Sequence, residues 1–495
     1  MARPLSELLY GIGLLQTAGS MAVVPTGIAQ DSRRVAPGYA FVAIKGTQAD
    51  GHDYIGKAII LGATTIVCEH LPPTIQEGIS YAVVKDGPEA LGQMACSFFG
   101  HPSKKLKLVA ITGTNGKTTV ATLAYQLFTA MGYRCGLLST VQNIVGTTAI
   151  VATHTTPDAI SLNALLARMV AEGISHAFIE ASSHAIHQRR IAGLHFAGAV
   201  FTNLTHDHLD YHGTFQEYLK AKQRLFTDLP PEAFALSNAD EKNGKVMLQN
   251  SRARHYYYGL ANPANYKGKY LSASIHGNEV EIDNQIVWFL LPGRFNASNC
   301  MAVYGLALLL KERAERVLPA LSAIKGAEGR FQVIRGANGQ TAIVDYAHTP
   351  DALQNVLSTL RELCENGERI ITVVGCGGDR DTTKRPEMGA IAAKLSDKVV
   401  LTADNPRSED PVAIIDQMAL GVGISARRKL VRQPDRAQAI ATALEMAMPG
   451  DIVLVAGKGH ETYQEIKGQK FPFSDVEVLL GLISPNTHTK PAPDA

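Results

Sequence analysis

The apolar positions of this chain fall in short unbroken blocks, separated by stretches in which apolar residues recur every three or four positions. LKLVAIT (106–112), HAFIEAS (176–182), AGAVFTNL (197–204), TAIVDYA (341–347), RIITVVGCGG (369–378), KVVLTADN (398–405) and DIVLVAGKG (451–459) are blocks of the first kind. A continuous apolar, β-branched run marks a strand covered on both faces, as in a parallel sheet; a half-exposed strand would alternate. TTVATLAYQLFTAMG (118–132) and SLNALLARMVAEG (161–173) carry helical spacing instead. Strand followed by helix, repeated along the chain, predicts α/β layers built on mostly parallel sheets.

At 495 residues the chain exceeds what one core usually supports, and about three domains are expected. The pattern divides accordingly. Residues 1–103 hold short strands between turns and helices, in DSRRVAPGYAFVAIKG and AIILGATTIVCE, and close on the polar turn FFGHPSKK. Residues 104–328 carry the central alternation, and residues 329–495 a second, open-sheet unit of Rossmann-like type. The last residues, SPNTHTKPAPDA, read as a disordered tail. In open α/β sheets ligands bind beyond the carboxyl ends of the strands. Here those ends are polar: Glu180 to His184, Asn203 to Asp210, Asp345 to His348, Asp379 to Asp381, Asp404 to Arg407, and Lys458 to Glu461. Any single Asp or Ser among them could be a helix cap; six clusters in succession predict an active site.

Charge narrows the partners. The 47 basic side chains against 45 acidic ones leave a net +2, which gives no nucleic-acid footprint. The start MARPLSELLYGIGLL lacks the regions of a signal peptide, and no apolar stretch is long enough for a bilayer, so a cytoplasmic protein without membrane insertion is expected. Six cysteines without a C-x-x-C pair argue for reduced, mostly buried thiols.

The stretch AITGTNGKTTV (110–120) carries the chemistry. The usual phosphate loop, G-x-x-x-x-G-K-[ST], would need a glycine at 111; the chain has Ile111 there and Gly113 two residues later. The shortened turn still joins a buried strand to a helix N-terminus, so backbone N–H groups of Gly113, Thr114, Asn115, Gly116 and Thr119 would face an anion. Lys117 would reach the terminal phosphates of ATP and the Thr118 hydroxyl would hold Mg²⁺. In FQEYLKAKQRLF, Lys222 shares a helical face with Tyr218, Leu225 and Phe226, whereas Lys220 points elsewhere; such a lysine either snorkels to solvent or serves a buried site.

With this loop, TNLTHDHLDYHG, GRFNASN, DYAHTPDAL and DNPR follow in order, and the chain resembles the Mur ligases, the ATP-dependent amino-acid-adding enzymes of peptidoglycan synthesis. The likeness runs from DSRRV to AGKGHE and is nearest to the members that add meso-2,6-diaminopimelate. It implies three α/β domains: a small N-terminal UDP-binding domain, a central P-loop-type ATPase domain and a C-terminal Rossmann-like domain that binds the amino acid. It also implies the substrates UDP-N-acetylmuramoyl-L-alanyl-D-glutamate, meso-diaminopimelate and ATP, joined through an acyl phosphate.

By the same resemblance Lys117, Glu180, Lys222 and His208 are catalytic, with Thr118, Glu180, His208 and a carbamylated Lys222 around Mg²⁺. Asn296, Asn299, Arg330 and Asp345 match nucleotide contacts, although the two asparagines could instead cap the helix that follows. His348 lies near the phosphates or holds its loop. Ser32, Thr47, Gln48, Ala49, Thr155, Thr156, Ser182, Gln188 and Arg190 match contacts to the UDP-sugar peptide, with Arg189 in place of Arg190 if the register slips by one. Arg385, Asp404, Asn405, Pro406, Arg407, Gly457 and Glu461 match the diaminopimelate site. Its distal carboxylate calls for an arginine fork, which Arg407 supplies unless it is spent on Glu409 or Asp410, and Glu461 would meet the distal ammonium. A folylpolyglutamate synthetase shares the short loop and the lysine chemistry, but DSRR together with DNPR is not expected of it. A nucleotide-binding scaffold without ligase activity would have no need of Lys117, Glu180 and Lys222 together.

Overall fold

The computed structural model describes residues 3–46, 49–152, 154–336, 339–364 and 367–483. Contacts divide the chain into two compact units: Met1–Gly113, Ala124–Asn203 and Thr214–Tyr257 form the first; Thr114–Leu123, Leu204–Gly213 and Tyr258–Ala495 form the second. The tail from 484 onward, and Thr47 and Gln48, lie outside the described residues.

The first unit contains two sheets. One has β1 (Leu14–Ala18), β2 (Gly27–Ala29), β3 (Tyr39–Val42), β4 (Thr65–Cys68) and β5 (Ser80–Val84) in the order β1-β5-β4-β3-β2, parallel except for β1. The other is built on β6 (Lys107–Thr112), β7 (Cys135–Leu138), β10 (His176–Glu180), β11 (Gly198–Phe201) and β12 (Phe234–Asn238), all parallel, in the order β12-β11-β6-β10-β7. The antiparallel strands β8 (Gln142–Val145) and β9 (Thr148–Val151) continue it beyond β7. The central strand β6 comes from the most apolar block, LKLVAIT, and all but its first residue are buried. Helix Gly87–Phe98 packs on helix Ala159–Ala171, and Arg189 ties to Glu89 at 2.9 Å.

After β13 (Arg254–Gly259), the second unit opens with a meander, β14 (Tyr266–Ser274), β15 (Gly277–Ile282) and β16 (Gln285–Phe289), paired antiparallel. This hairpin run departs from the strand-and-helix alternation expected across 104–328. Its strands are half polar, and the turns H-G-N and D-N set the reversals, with Asp283 and Asn284 both at positive φ. The second sheet of this unit comprises β17 (Gln332–Arg335), β18 (Thr341–Asp345), β19 (Ile370–Val374), β20 (Lys398–Leu401), β21 (Leu430–Arg432) and β22 (Ile452–Ala456). Its order is β17-β18-β22-β19-β20-β21, parallel apart from the edge strand β17.

The unbroken apolar runs have a direct explanation in this sheet. Ile343, Ile370, Val374, Leu454 and Ala456 pack into a core on one face, while Ala342, Val344, Ile371, Val373, Val453 and Val455 pack into a core on the other. With helices on both faces the interior positions of the central strands are closed to water, and exposure is confined to the strand starts and the edge strands. A last hairpin, β23 (Tyr463–Ile466) and β24 (Gln469–Pro472), follows β22. All six cysteines are free; five are buried and Cys364 is partly so. Burial pushes the thiols up, to about 11 for Cys68 and Cys135 and about 12 for Cys96 and Cys376. No helix among the described residues is long and apolar enough to cross a membrane.

One buried ion pair holds the far side of the second unit. Arg436, first residue of helix Arg436–Met446, and Asp475, first residue of helix Asp475–Ile483, meet through two 2.8 Å hydrogen bonds, both fully buried. The arginine also donates to the carbonyls of Ala403 and Ala456 (3.4 and 3.0 Å), so it joins the exits of β20 and β22. Asp475→Ala leaves that cation buried and unpaired and is expected to lower the unfolding free energy by about 3–5 kcal/mol, whereas Arg436→Met with Asp475→Leu recovers most of it. Urea denaturation of the two variants measures the difference.

Candidate active site

The phosphate loop follows β6 where the spacing predicts it, and helix Lys117–Ala130 begins directly behind it. Gly113 has φ 155°, and a Cβ there would lie 1.9 Å from Thr202 Oγ1. Gly116 has φ 84°, and its Cβ would fall 2.7 Å from Asn299 Oδ1. Neither position admits a side chain, which is why the shortened loop keeps both glycines. Lys117 Nζ donates to the Thr114 carbonyl at 2.8 Å, folding back over its own loop. Thr118 and Thr119 are buried on the first turn. Thr118 Oγ1 accepts from Arg330 Nη2 at 3.0 Å, and the Arg330 guanidinium lies over the Tyr346 ring at 4.4 Å. Expected among the nucleoside contacts, Arg330 thus stands at the phosphate end of the loop.

Asn296 and Asn299 are both buried, and neither caps the helix Arg294–Leu309, whose N-cap is Gly293. Asn296 Nδ2 donates to the Pro292 carbonyl (2.8 Å) and Asn299 Nδ2 to Asn296 Oδ1 (3.4 Å), which turns Asn299 toward Gly116. Asp345, at the end of β18, accepts from the Phe331 N–H at 2.7 Å. Burial raises its carboxyl to about 6, against the pull of Arg330 and of the Phe331 and Ala347 N–H groups.

Beside the loop stands a charged group that contains His208. Burial pushes Asp207 up, but the charges of His208, His348 and Lys117 outweigh it and hold the carboxyl below its usual range. His208 sits at φ 54°, with Nε2 3.4 Å from Asp207 Oδ2. His348 Nδ1 pairs with the Tyr346 carbonyl (2.8 Å), and Lys384 Nζ donates to the His348 carbonyl (2.9 Å); burial, then Lys384, lowers the His348 imidazole. Asp351 is a residue that sequence reasoning missed. Its Oδ2 accepts from Asn115 Nδ2 (2.8 Å) and Thr205 Oγ1 (3.0 Å), so the helix Pro350–Leu363 is tied to the phosphate loop. The partners are 236 and 146 residues away, and nothing local marks the contact.

In the first unit, Lys222 does not snorkel. It is 1% exposed, and its Nζ donates to the Gly113 carbonyl at 2.8 Å while lying 4.8 Å from the Tyr218 ring centroid. Lys220 points to solvent and pairs with Glu217. Glu180 is fully buried at the end of β10, and Thr140 engages both of its oxygens, through the backbone N–H (2.8 Å) and Oγ1 (3.1 Å). Thr155 Oγ1 lies 3.1 Å from Thr140 Oγ1, and Thr156 Oγ1 donates to the Glu180 carbonyl (2.7 Å) and lies 3.4 Å from Ser182 Oγ. Arg190 closes this network through the Thr156 carbonyl (3.0 Å) and two bonds to Gln188. The structure therefore brings together Thr155, Thr156, Ser182, Gln188 and Arg190. It also separates the two arginines: Arg189, at φ 59°, turns to Glu89 and Asp228. Ser32 is buried in the turn after Asp31, and the Ala49 carbonyl closes a turn with Gly46 N–H.

The residues matched to the amino-acid site collect at the exits of β19, β20 and β22. Arg407, at φ 50°, donates from Nη1 to the Gly378 carbonyl (2.7 Å) and stands 3.4 Å from Glu465. It is not spent on Glu409 or Asp410. Glu409 belongs to Arg385, whose guanidinium is fully buried and bonds both Glu409 oxygens at 2.8 Å, Gln417 at 2.7 Å and the Gly377 carbonyl at 3.1 Å. Arg385 thereby fastens the loops around Gly377 and Pro406 to each other, and it holds the Glu409 carboxyl down at about 2. A Cβ at Gly378 would lie 1.9 Å from the Pro406 carbonyl. Asn405 Nδ2 donates to Glu461 Oε2 (2.8 Å), Gly457 has φ 116°, and Asp404 is buried, its carboxyl raised by burial against Arg436 and Lys458. Lys458, of the stretch AGKGHE, lies at the centre of this group.

As potential Mg²⁺ ligands, the Thr118 hydroxyl and Glu180 carboxylate are hard oxygen donors that suit the ion, and Lys222 would contribute oxygen only as a carbamate. No group of three or more His, Cys, Asp or Glu side chains among the described residues stands in a metal-holding arrangement.

Comparison with known proteins gives three family matches: the Mur ligase family catalytic domain over residues 25–99, the Mur ligase middle domain over 111–307 and the Mur ligase glutamate ligase domain over 329–459. A Cytophaga hutchinsonii protein named UDP-N-acetylmuramoyl-L-alanyl-D-glutamate--2,6-diaminopimelate ligase is 53% identical over 97% of this chain and 99% of its own. Bacteroides fragilis and Bacillus licheniformis proteins of the same name are 49% and 40% identical, over 97% and 92% of this chain and 99% and 93% of theirs. A solved structure of a protein of that name matches with a TM-score of 0.69 and 33% identity, over 98% of this chain and 99% of its own. A Mycobacterium tuberculosis folylpolyglutamate synthase shares the fold at a TM-score of 0.60 and 18% identity, over 74% of this chain and 92% of its own.

The raised Asp345 carboxyl has a stability consequence. Between the unfolded value of 3.8 and the folded value of about 6, the folded state binds the extra proton, so this group costs stability as pH rises through that window. Asp345→Asn keeps an acceptor for Phe331 N–H and is expected to gain on wild type by about 1–3 kcal/mol between pH 4 and pH 7; paired urea titrations at the two pH values measure it.

Proposed function

The chain belongs to the Mur ligase family, and from that footing we propose that it joins meso-2,6-diaminopimelate to the D-glutamate of UDP-N-acetylmuramoyl-L-alanyl-D-glutamate, with ATP converted to ADP and phosphate, in cytoplasmic peptidoglycan precursor synthesis. One observation carries the substrate assignment. The loops after β20 and β22 supply Arg407 and Glu461 to one site, with Asn405 bonded to Glu461, a cation and an anion for a ligand whose distal end bears a carboxylate and an ammonium. Lysine lacks that carboxylate and leaves Arg407 without its partner.

In the reaction, a carboxylate of the D-glutamate takes the γ-phosphoryl group of ATP and ADP departs. The amine of diaminopimelate then attacks the acyl carbon, and phosphate leaves. The protein contributes position and charge. Gly113 to Thr119 cradle the phosphates, Lys117 swings from the Thr114 carbonyl to the terminal phosphate, and Arg330 meets the same end of the nucleotide. Asn296, Asn299 and Asp345 serve the nucleoside. Thr155, Thr156, Ser182, Gln188 and Arg190, with Ser32, Thr47, Gln48 and Ala49, receive the UDP-sugar peptide. The blocks 1–103, 104–328 and 329–495 divide the work between UDP-sugar, ATP and amino acid. Thr118 and Glu180 are suited to hold Mg²⁺, with His208 and carbamylated Lys222 completing the set; when bound, the ion neutralises charge on the transferring phosphoryl group. A carbamate nitrogen at Lys222 keeps one N–H, so its bond to the Gly113 carbonyl survives the modification.

Phosphate release with ATP, Mg²⁺ and the UDP-dipeptide, comparing meso-diaminopimelate with L-lysine, tests the assignment. Turnover is expected with diaminopimelate only; preference for lysine overturns the reading of Arg407, and silence with both shifts weight to a folate-type ligase. Arg407→Ala is expected to lower kcat/KM for diaminopimelate about a hundredfold or more with the KM for ATP little changed. Lys222→Ala is expected to lose most activity without rescue by added bicarbonate, and near wild-type turnover would remove Lys222 from the mechanism.

A further inference from the structure

The loop that carries Glu461 also carries a cation to which the reaction above gives no part. Lys458 lies between Gly457 (φ 116°) and Gly459 (φ 54°). A Cβ at Gly459 would stand 2.6 Å from the Gly329 carbonyl oxygen and 2.8 Å from the Tyr346 Cβ, and one at Gly457 3.2 Å from Asp404 Oδ2. The two glycines let the backbone press against its neighbours, so that only the lysine side chain turns inward. That side chain is 0% exposed. Its Nζ donates to Glu461 Oε2 (2.9 Å) and Asn405 Oδ1 (3.1 Å), lies 3.6 Å from Asp404 Oδ1, and stands 5.6 Å from the Tyr463 ring centroid.

Two features make this more than charge balance. Asn405 follows β20 and Glu461 follows β22, two strands that are not neighbours in the sheet, so one ammonium fixes two separate loops. The partners are also one-sided. Lys458 and Asn405 both bond Glu461 Oε2, whereas among the described residues Oε1 has a long 3.4 Å contact from the Tyr346 hydroxyl. One carboxylate oxygen is anchored and the other is left directed.

We propose that Lys458 is a positioning residue for the incoming amino acid: its ammonium locks Asn405 and Glu461 into one arrangement, so that Glu461 presents Oε1 to the distal ammonium of diaminopimelate. The inference rests on the function proposed above and deepens it. The groups that face Glu461 are Lys458, Asn405, His460, Tyr346, Asp404 and, through Asp404, Arg436. Burial raises the Glu461 carboxyl, but Lys458, Asn405 and His460 together hold it below its usual value. Arg436 is already committed to Asp475. Without Lys458, the buried Asp404 carboxylate and the partly buried Glu461 carboxylate face each other with no cation of their own, and Glu461 protonates at higher pH.

The test measures KM for diaminopimelate, for the UDP-dipeptide and for ATP in wild type and Lys458→Met. The expected result is a diaminopimelate KM raised about tenfold or more, with kcat and the other two KM values within about twofold. The acid limb of kcat/KM for diaminopimelate is expected to move to higher pH, which a merely structural lysine would not cause. An unchanged diaminopimelate KM, or equal losses for all three substrates, overturns the proposal. If Lys458→Met shows no cooperative melt, Lys458→Arg, which keeps the charge but not the geometry, is read by the same criterion, and a wild-type diaminopimelate KM there overturns it. A wild type silent with diaminopimelate overturns the functional reading and this one with it; an active wild type beside an indifferent variant overturns this one alone.

Discussion

A cation taken out of water must be repaid in oxygen, and among the described residues four lysine and arginine side chains are buried in this way. Lys222, Arg385, Arg436 and Lys458 are each no more than 1% exposed. Each is met by carboxylates, amides or backbone carbonyls: Lys222 by the Gly113 carbonyl, Arg385 by Glu409, Gln417 and the Gly377 carbonyl, Arg436 by Asp475 and the carbonyls of Ala403 and Ala456, Lys458 by Glu461 and Asn405. Such pairs add little net stability compared with apolar packing, but a geometry that fails to satisfy them is heavily penalised. Loops, which packing alone leaves loose, are thereby held in one conformation. Three of the four buried cations fasten loops that follow β19, β20 and β22, and the fourth fastens the start of the glycine-rich loop after β6.

The same arrangement separates an accessible arginine from an enclosed one. Arg407 keeps part of its guanidinium at the surface and contacts only one carbonyl and the edge of Glu465, so a carboxylate ligand could displace little to reach it. Arg385, twenty-two positions earlier, is enclosed. Two arginines carried over from one resemblance therefore serve different ends, and burial distinguishes them. Arg189 and Arg190 make the same point at shorter range: a left-handed backbone step at Arg189 sends one to Glu89 and Asp228, the other to Thr156 and Gln188.

What could be read from the sequence followed from local rules. Strands buried on both faces leave continuous apolar runs, so β6, β10, β18, β19, β20 and β22 were legible. Steric need for glycine at 113 and 116 made the loop legible despite its length, and the spacing of Tyr218, Lys222 and Leu225 gave the correct face. Its depth was not legible, since an apolar stripe looks alike whether a lysine reaches solvent or a carbonyl. The meander β14–β16 was missed because its strands are half polar and short-range pairing leaves no helix between them. Asp351, Thr140 and Lys458 escaped for a different reason: their roles exist only through partners that the fold brings from elsewhere, so that even inside the marked stretches DYAHTPDAL and Lys458 to Glu461 nothing local assigns Asp351 or Lys458 its contact.

The six buried thiols carry a practical meaning for the study of this molecule. Each is raised by desolvation and five are shielded from solvent, so the native chain offers thiol reagents a nearly blank surface. A cysteine introduced on an exposed helix of each compact unit would be the dominant site of labelling without removal of any natural residue. A dye placed that way would report on the unit that carries it, with the wild-type chain as its own background.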